Sequence, residues 1–366
     1  MPSGRDLWRD EAPRWEGGGR YLLLNPRLSP AWREQVLAAE FPDWSDHVWL
    51  ATSGTQGTFK VVALAREALA ASARAVNRHL GAGKDDVWLN PLPLFHVGGL
   101  GIEVRAALTG ARVQTCAGWS VESFLDSAEN ARATLTSLVP TQVHDLVKAG
   151  AKAPPSLRAA VVGGGALEGN LRAQARDLGW PILPSYGLTE ACSQVATAAP
   201  GSTDGDWLPL LPHIEARLDE AGVLELRGPS MLSGWMLFRA NGGVRWEDPK
   251  ADGWYRTGDR AELQGRELRV LGRVDDLVKI RGELVDAAAL ERELQSRVKS
   301  GAVCLIVAED ARNGHTLRVQ AENSAAANEA REAFDVFPPF ARPQAVEVGP
   351  IVRTALGKIV RSVGGG

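Results

Sequence analysis

The alternation of short aliphatic runs with helical patterns through the first half of the chain constrains the fold more than any other feature of the sequence. Residues 46–50, DHVWL, read as a strand, and beyond the small-residue stretch 51–60 the side chains Leu69, Ala73, Val76 and Leu80 recur on one helical face. Residues 86–90 read as the next strand, and 91–101, PLPLFHVGGLG, as an apolar, glycine-containing turn into another helix. A helix over 121–131, a strand over 133–139, a helix over 141–148 and a strand over 157–162 continue the series, with Thr141 expected as an N-cap and Gly150 as a stop. That strand runs into Gly163, Gly164 and Gly165 and a helix with Leu167, Leu171 and Leu178 on its apolar side. Residues 181–190, PILPSYGLTE, read as a further strand emptying into a loop. The series predicts an α/β fold of parallel strands covered by helices, with ligands at the carboxyl ends of the strands.

From about residue 209 the pattern changes to short alternating strands, with Glu220, Ala221 and Gly222 making a turn, which predicts an antiparallel subdomain. A final unit begins near Asp275. Strands over 277–280, 302–307 and 317–321, helices over 287–297 and 325–334 and a last strand before the tail suffice for a small α+β domain. The expected division is therefore 1–274 and 275–366.

Residues 51–60, ATSGTQGTFK, form a loop suited to phosphate. Gly54 and Gly57 let backbone N–H groups turn inward together, Thr52, Ser53 and Thr55 add hydroxyl donors, and Lys60 adds a positive charge. The spacing differs from the common nucleotide loop GxxxxGK[ST], because Lys60 follows Phe59 and precedes Val61. By itself the stretch fits a flexible Ser/Thr/Gly connection with an incidental lysine equally well.

At 366 residues with 45% hydrophobic and 23% charged residues, the chain reads as globular, and a formal net charge of -3 gives no basic footprint for a nucleic-acid partner. Cys116, Cys192 and Cys304 are widely separated and match neither a metal pattern nor a disulfide framework. The run Leu22 to Leu24 is too short for a signal-peptide core, and no apolar segment approaches the roughly 20 residues that cross a bilayer. A soluble, cytoplasmic protein without membrane insertion is expected. The twelve tryptophans read as packing residues rather than a stacking platform.

Six further motifs follow the loop in order: FHVGG (residues 95–99), GGG (163–165), SYGLTE (185–190), GWYRTGD (253–259), GRVDDLVKIRGE (272–283) and GKIVR (357–361). With TSGTQGTFK they resemble the adenylate-forming superfamily of acyl-CoA synthetases, peptide-synthetase adenylation domains and luciferases, from about Val48 to Arg361. Gln56 and Phe59 depart from that family's loop, which has threonine and proline there. The resemblance implies a large domain of parallel α/β sheets with an antiparallel subdomain, plus a small mobile α+β domain pivoting at Asp275. It implies ATP contacts from the loop, from Gly163, Gly164 and Gly165, and from Ser185, Tyr186, Gly187 and Thr189. Tyr186 would offer a face to adenine, Glu190 would bind Mg2+, Asp259 would accept the ribose hydroxyls and Arg273 would also contact nucleotide. His96, with Gly98, Gly99 and Gly164, would line the acyl pocket; Lys279, Arg281 and Gly282 would face CoA; and Lys358 would be the catalytic lysine. An isolated His96, Asp259 or Lys358 would read as a satisfied core or surface residue.

Within the superfamily the short region before the loop and the segments FHVGG, VVGGGAL and SYGLTEACSQ are most similar to the o-succinylbenzoate-CoA ligase branch of menaquinone biosynthesis. The implied reaction is a two-step ATP-dependent ligation through an acyl-adenylate, with a carboxylic acid, ATP and CoA as small-molecule partners and a homodimer left open. Elements that brace the large domain in relatives are expected to be abbreviated. Two other readings stand beside it: a CoA ligase for another aryl or short acyl carboxylate, and a non-catalytic acyl- or nucleotide-binding relative.

Overall fold

The computed structural model describes residues 21–52, 58–202, 205–310 and 314–351. A six-stranded sheet carries Arg112–Thr115, Val87–Asn90, Leu135–Leu138, Ala159–Val162, Ile182–Leu188 and Ser193–Thr197 in that spatial order, parallel except for the last pair. A second sheet orders Tyr21–Leu23, His47–Thr52, Thr58–Ala65, Gly234–Arg239 and Val244–Glu247. The helices Arg66–Leu80 and Val97–Thr109 lie between the two sheets. Leu69, Ala73, Leu100 and Val104 pack toward the second sheet, while Val76, Leu80, Ile102 and Ala106 pack with Trp88, Leu135 and Val161 of the first. That double burial explains why Arg66–Leu80 hides Ala68, Ala70 and Ala75 as well as the four predicted positions. The far face of the first sheet is covered by Val121–Ala131, Pro140–Lys148 and Gly169–Asp177, and the far face of the second by Pro30–Ala38 with Phe41, Trp44 and Trp246. Each fully buried core side chain contributes about 1.5–3 kcal/mol, and the tryptophans serve chiefly as packing, Trp49 and Trp88 being fully buried.

The third sheet is antiparallel, ordered Leu208–Pro209, Glu267–Arg273, Trp254–Gln264, Val223–Arg227 and Glu215–Leu218. The turn at 219–222 joins its last two strands, with Asp219 Oδ1 accepting the Ala221 and Val223 N–H groups. A fourth sheet of Glu283–Asp286, Leu277–Ile280, Gly314–Ala321, Val303–Asp310 and Val346–Val348 packs on Ala287–Arg297 and Ser324–Glu332 around its own core. The mixed α/β class and the α+β character of the last segment are as expected.

Two local expectations are corrected, and two details are added. The described ends of the stretch 51–60 do not link a strand to a helix: His47–Thr52 and Thr58–Ala65 are antiparallel neighbours with Thr52 opposite Lys60, and the helix starts only at Arg66. Thr141 lies inside the first helical turn, because Pro140 occupies N1 and the Gln142 side chain accepts the Val139 N–H at 3.0 Å. Ser185, Tyr186 and Gly187 stand in the strand Ile182–Leu188, which runs into the turn at Thr189 as expected. Glu283–Asp286, unassigned from the sequence, forms a hairpin with Leu277–Ile280.

Candidate functional site

The strand Ile182–Leu188 delivers Tyr186, whose hydroxyl donates to Asp259 Oδ2 at 2.6 Å. Asp259 lies opposite Arg273 across the third sheet, and Arg273 Nη1 donates to Asp259 Oδ1 at 3.1 Å. Burial raises the Tyr186 phenol well above its usual range, and the Asp259 charge adds to this. Tyr186 therefore stays a donor. Burial alone would lower Arg273, but Asp259, Asp275 and Asp276 outweigh it and hold the guanidinium firmly charged. Arg273 also reaches Asp275 Oδ2 at 3.3 Å through Nη2, and its N–H donates to Asp276 Oδ2 at 3.1 Å. Each Asp259 oxygen keeps a lone pair beyond these bonds.

Glu190 occupies the single 3-10 turn Thr189–Ala191, and its backbone oxygen accepts the Leu232 N–H at 2.7 Å. Burial raises the Glu190 carboxyl; its own N–H, the charge of Lys60, the Tyr255 hydroxyl and Arg273 oppose the rise. Tyr255 is raised by burial and then by the charge of Glu190, so its phenol stays protonated beside that carboxylate. Lys60 on Thr58–Ala65 sets its Nζ 3.7 Å from the centre of the Trp235 ring. Carboxylate, ammonium and guanidinium thus converge with two phenols where the three sheets meet.

His96 precedes the helix Val97–Thr109, its ring 4.6 Å from Phe95. Its Nε2 is buried without a protein partner, and burial lowers its pKa to about 4. It is therefore neutral at physiological pH. A Cβ on Gly99 would lie 2.4 Å from the Pro93 oxygen, so only glycine lets the helix begin against that turn; Gly98 is also tight, against Leu92. At the adjoining strand ends Gly163 faces the Ser185 oxygen, Gly164 faces Val139 and Gly165 faces Pro140. Ser185 spends its hydroxyl on Thr197 Oγ1 at 2.8 Å, and a Cβ on Gly187 would strike the Ser193 oxygen at 2.0 Å, so this glycine serves the strand pairing. Thr189 opens the turn that carries Glu190. Thr52 reaches the Lys60 oxygen at 3.5 Å. Lys279, Arg281 and Gly282 stand exposed in the hairpin of the fourth sheet, with Arg281 at φ 52 in its turn. Ser53, Gly54, Thr55, Gly57 and Lys358 lie outside the described residues.

Three residues of this region carried no assignment from the sequence. Tyr255 sits inside the GWYRTGD motif and Trp235 in a strand of the second sheet. Arg105, in the helix Val97–Thr109, is 1% exposed, donates to Ser137 Oγ at 3.4 Å and Ser193 Oγ at 3.2 Å, and leaves Nε unpartnered. Burial lowers its pKa to about 10, so it remains charged. The one signal was a lone cation in an apolar helix.

Two neutral histidines give a pH signature. His96 and His213 both have folded pKa values lowered to about 4 from 6.5 by burial. The unfolded chain then binds more protons between those values, so stability is full above pH 6.5 and falls as pH drops toward 4, by up to about 1.4 kcal/mol per pH unit per histidine. Urea midpoints in the parent and in His96→Gln should diverge only below about pH 6.5, with the variant less acid-sensitive.

Among the described residues no helix is long and apolar enough to cross a membrane, and no group of three or more His, Cys, Asp or Glu side chains could hold a metal ion. A family model described as AMP-binding enzyme matches residues 21–236. The 2-succinylbenzoate--CoA ligase of Escherichia coli is 34% identical over 265 residues, covering 72% of this chain and 56% of that protein. The 2-succinylbenzoate--CoA ligase of Enterococcus faecalis is 29% identical over 279 residues, again 72% and 56%. The chain thus spans little more than half the length of these curated relatives. Among solved structures, an E. coli MenE variant with bound OSB-AMS superposes with a TM-score of 0.75 at 27% identity, over 90% of this chain and 78% of that one. O-succinylbenzoate Coenzyme A Synthetase (MenE) from Bacillus subtilis in complex with AMP gives 0.74 at 25% identity, over 90% and 72%. The motif order, the sheet architecture and these matches lead to one conclusion: the chain belongs to the AMP-binding enzyme family.

Proposed function

We propose that the protein is an ATP-dependent acid-CoA ligase that acts on o-succinylbenzoate through an acyl-adenylate. The observation that carries this reading is the convergence of Lys60, Glu190, Tyr186, Asp259 and Arg273, which suits a magnesium nucleotide. Asp259, steadied by Tyr186 and Arg273, accepts the ribose hydroxyls. Lys60 meets the phosphates with the rest of the stretch 51–60. Glu190 would hold Mg2+, which is commonly bound through one or two carboxylates together with substrate phosphates. The metal would offset charge on the phosphates. The acid's carboxylate attacks the α-phosphorus and releases pyrophosphate; the CoA thiolate then attacks the acyl carbon and releases AMP. No protein nucleophile is needed, and positioning and charge complementarity supply the acceleration.

Arg105 favours a dicarboxylate. A buried cation without a carboxylate partner costs several kcal/mol, and neutralisation by a ligand relieves that cost. o-Succinylbenzoate keeps one carboxylate after the other is activated. Arg105, with the Ser137 and Ser193 hydroxyls beside it, would face that second anion. The relatives named above as 2-succinylbenzoate--CoA ligases support this choice of acid. Lys358 as the adenylating lysine, Asp275 as the pivot between 1–274 and 275–366, and Lys279, Arg281 and Gly282 as CoA contacts belong to the same proposal.

The test is acid-dependent release of AMP and pyrophosphate from Mg-ATP with CoA present, across o-succinylbenzoate, benzoate, malonate and acetate. Release with o-succinylbenzoate well above the rest is expected. Activity on acetate with none on o-succinylbenzoate would defeat the acid assignment, and Mg-ATP binding with no release for any acid would favour a non-catalytic relative.

A further inference from the structure

Trp235 stands on Gly234–Arg239, antiparallel to Thr58–Ala65, with Trp235 opposite Val62 and Leu237 opposite Lys60. Alternation along the strands puts Lys60 and Trp235 diagonally on one face, and the Lys60 Nζ sits 3.7 Å from the ring centroid, within cation–π range. The ring cannot swing freely. Its Nε1 donates to Glu247 Oε2 at 3.0 Å, and it meets Tyr255 edge to face, with ring centroids 6.2 Å apart and planes at 85°. Tyr255 in turn lies near enough to Glu190 for the carboxylate charge to raise its phenol, and the Leu232 N–H, three residues before Trp235, holds the Glu190 backbone oxygen at 2.7 Å. Cation and carboxylate are thus both referred to one indole.

We propose that Trp235 is the positioning residue for Lys60 and, through Tyr255, for Glu190, fixing the ammonium and the carboxylate relative to each other before a magnesium nucleotide binds. The inference rests on the ATP reading given above. A lysine on a hairpin flank has four rotatable bonds, and its ammonium would otherwise lose that freedom only when phosphate arrives. An ammonium already held over an aromatic face meets the phosphates with less ordering left to do, which strengthens binding. Because Lys60 would contact phosphate both before and during the reaction, the loss should fall on binding rather than on turnover.

The sequence holds eight lysines, few enough for each to be followed by NMR after reductive 13C-methylation, with Lys60→Arg identifying the Lys60 signal. In the parent that signal should be displaced upfield by the indole ring current. Trp235→Leu should abolish the displacement and Trp235→Phe should keep part of it. In steady state Trp235→Leu should raise KM for Mg-ATP on the order of 10-fold, leave KM for o-succinylbenzoate unchanged and hold kcat within about threefold, with Trp235→Phe recovering most of the loss. A Lys60 signal in the parent without ring shift would overturn the proposal, as would equal KM increases for Mg-ATP and for the acid. The parent measurement stands even if Trp235→Leu fails to fold. A ring-shifted, Trp235-dependent Lys60 signal in a protein that binds no Mg-ATP would sink the ATP reading and leave the pairing of Lys60 with Trp235 supported.

Discussion

Glu190→Gln is expected to lower acid-dependent pyrophosphate release on the order of 100- to 1000-fold, about 3–4 kcal/mol in the barrier, while the protein remains at least as stable as the parent. The two halves of this expectation have one cause. Burial raises the Glu190 carboxyl, so the folded state disfavours its charged form, and the stability it contributes is present below its ordinary range and lost as pH rises through it. An amide keeps the shape, yet it removes the buried charge that would meet Mg2+. Pyrophosphate release against Mg2+ concentration, with thermal melts of both proteins at neutral pH, checks the pair. An unaltered Mg2+ dependence in Glu190→Gln rules out the metal role, and a lower melting temperature with lost activity points instead to a structural one.

The second large effect belongs to Arg105. Arg105→Met should raise KM for o-succinylbenzoate on the order of 100-fold, since truncating one member of a desolvated charge pair costs about 2–5 kcal/mol. The same variant should treat 4-oxo-4-phenylbutanoate, which lacks the ring carboxylate, much as the parent does. Replacing an unpaired buried charge by an apolar side chain of similar size also tends to stabilise, so the fold should survive. Equal losses on the diacid and the monoacid would mean that Arg105 shapes the helix Val97–Thr109 rather than reading the substrate. Both predictions expect higher or equal stability with poorer function, as charge held in a buried site for a ligand implies.

The parts of the molecule legible in the sequence are those where one period dominates. Val121–Ala131 and Ala287–Arg297 agree with their predicted bounds because each buries a single stripe against a sheet. The strand Thr58–Ala65 escaped because it is buried on both faces, with Phe59, Val61, Val62, Ala63 and Leu64 all inside, and this removes the alternation that marks a strand. The motifs named Tyr186, Glu190, Asp259 and Arg273, and these converge. They could not name Trp235 or Arg105. An indole becomes informative only when Lys60 lies over it from the neighbouring strand, and a guanidinium only when no carboxylate among the described residues pairs with it. Long-range placement of that kind has no local period.

Arg273 grips Asp259 with one terminal nitrogen and Asp275 with the other. A ribose hydroxyl donating to the remaining lone pairs of Asp259 would draw on the charge that Arg273 also meets, loosening that contact and leaving the guanidinium freer to settle on Asp275. Thermodynamic reciprocity would then give the converse: a 3-10 turn at Val274–Asp276 held by the Arg273–Asp275 contact would leave Asp259 more open to sugar, and loss of that contact would leave it less so. One guanidinium would thus make nucleotide occupancy and the backbone geometry of that turn conjugate variables, each readable from the other.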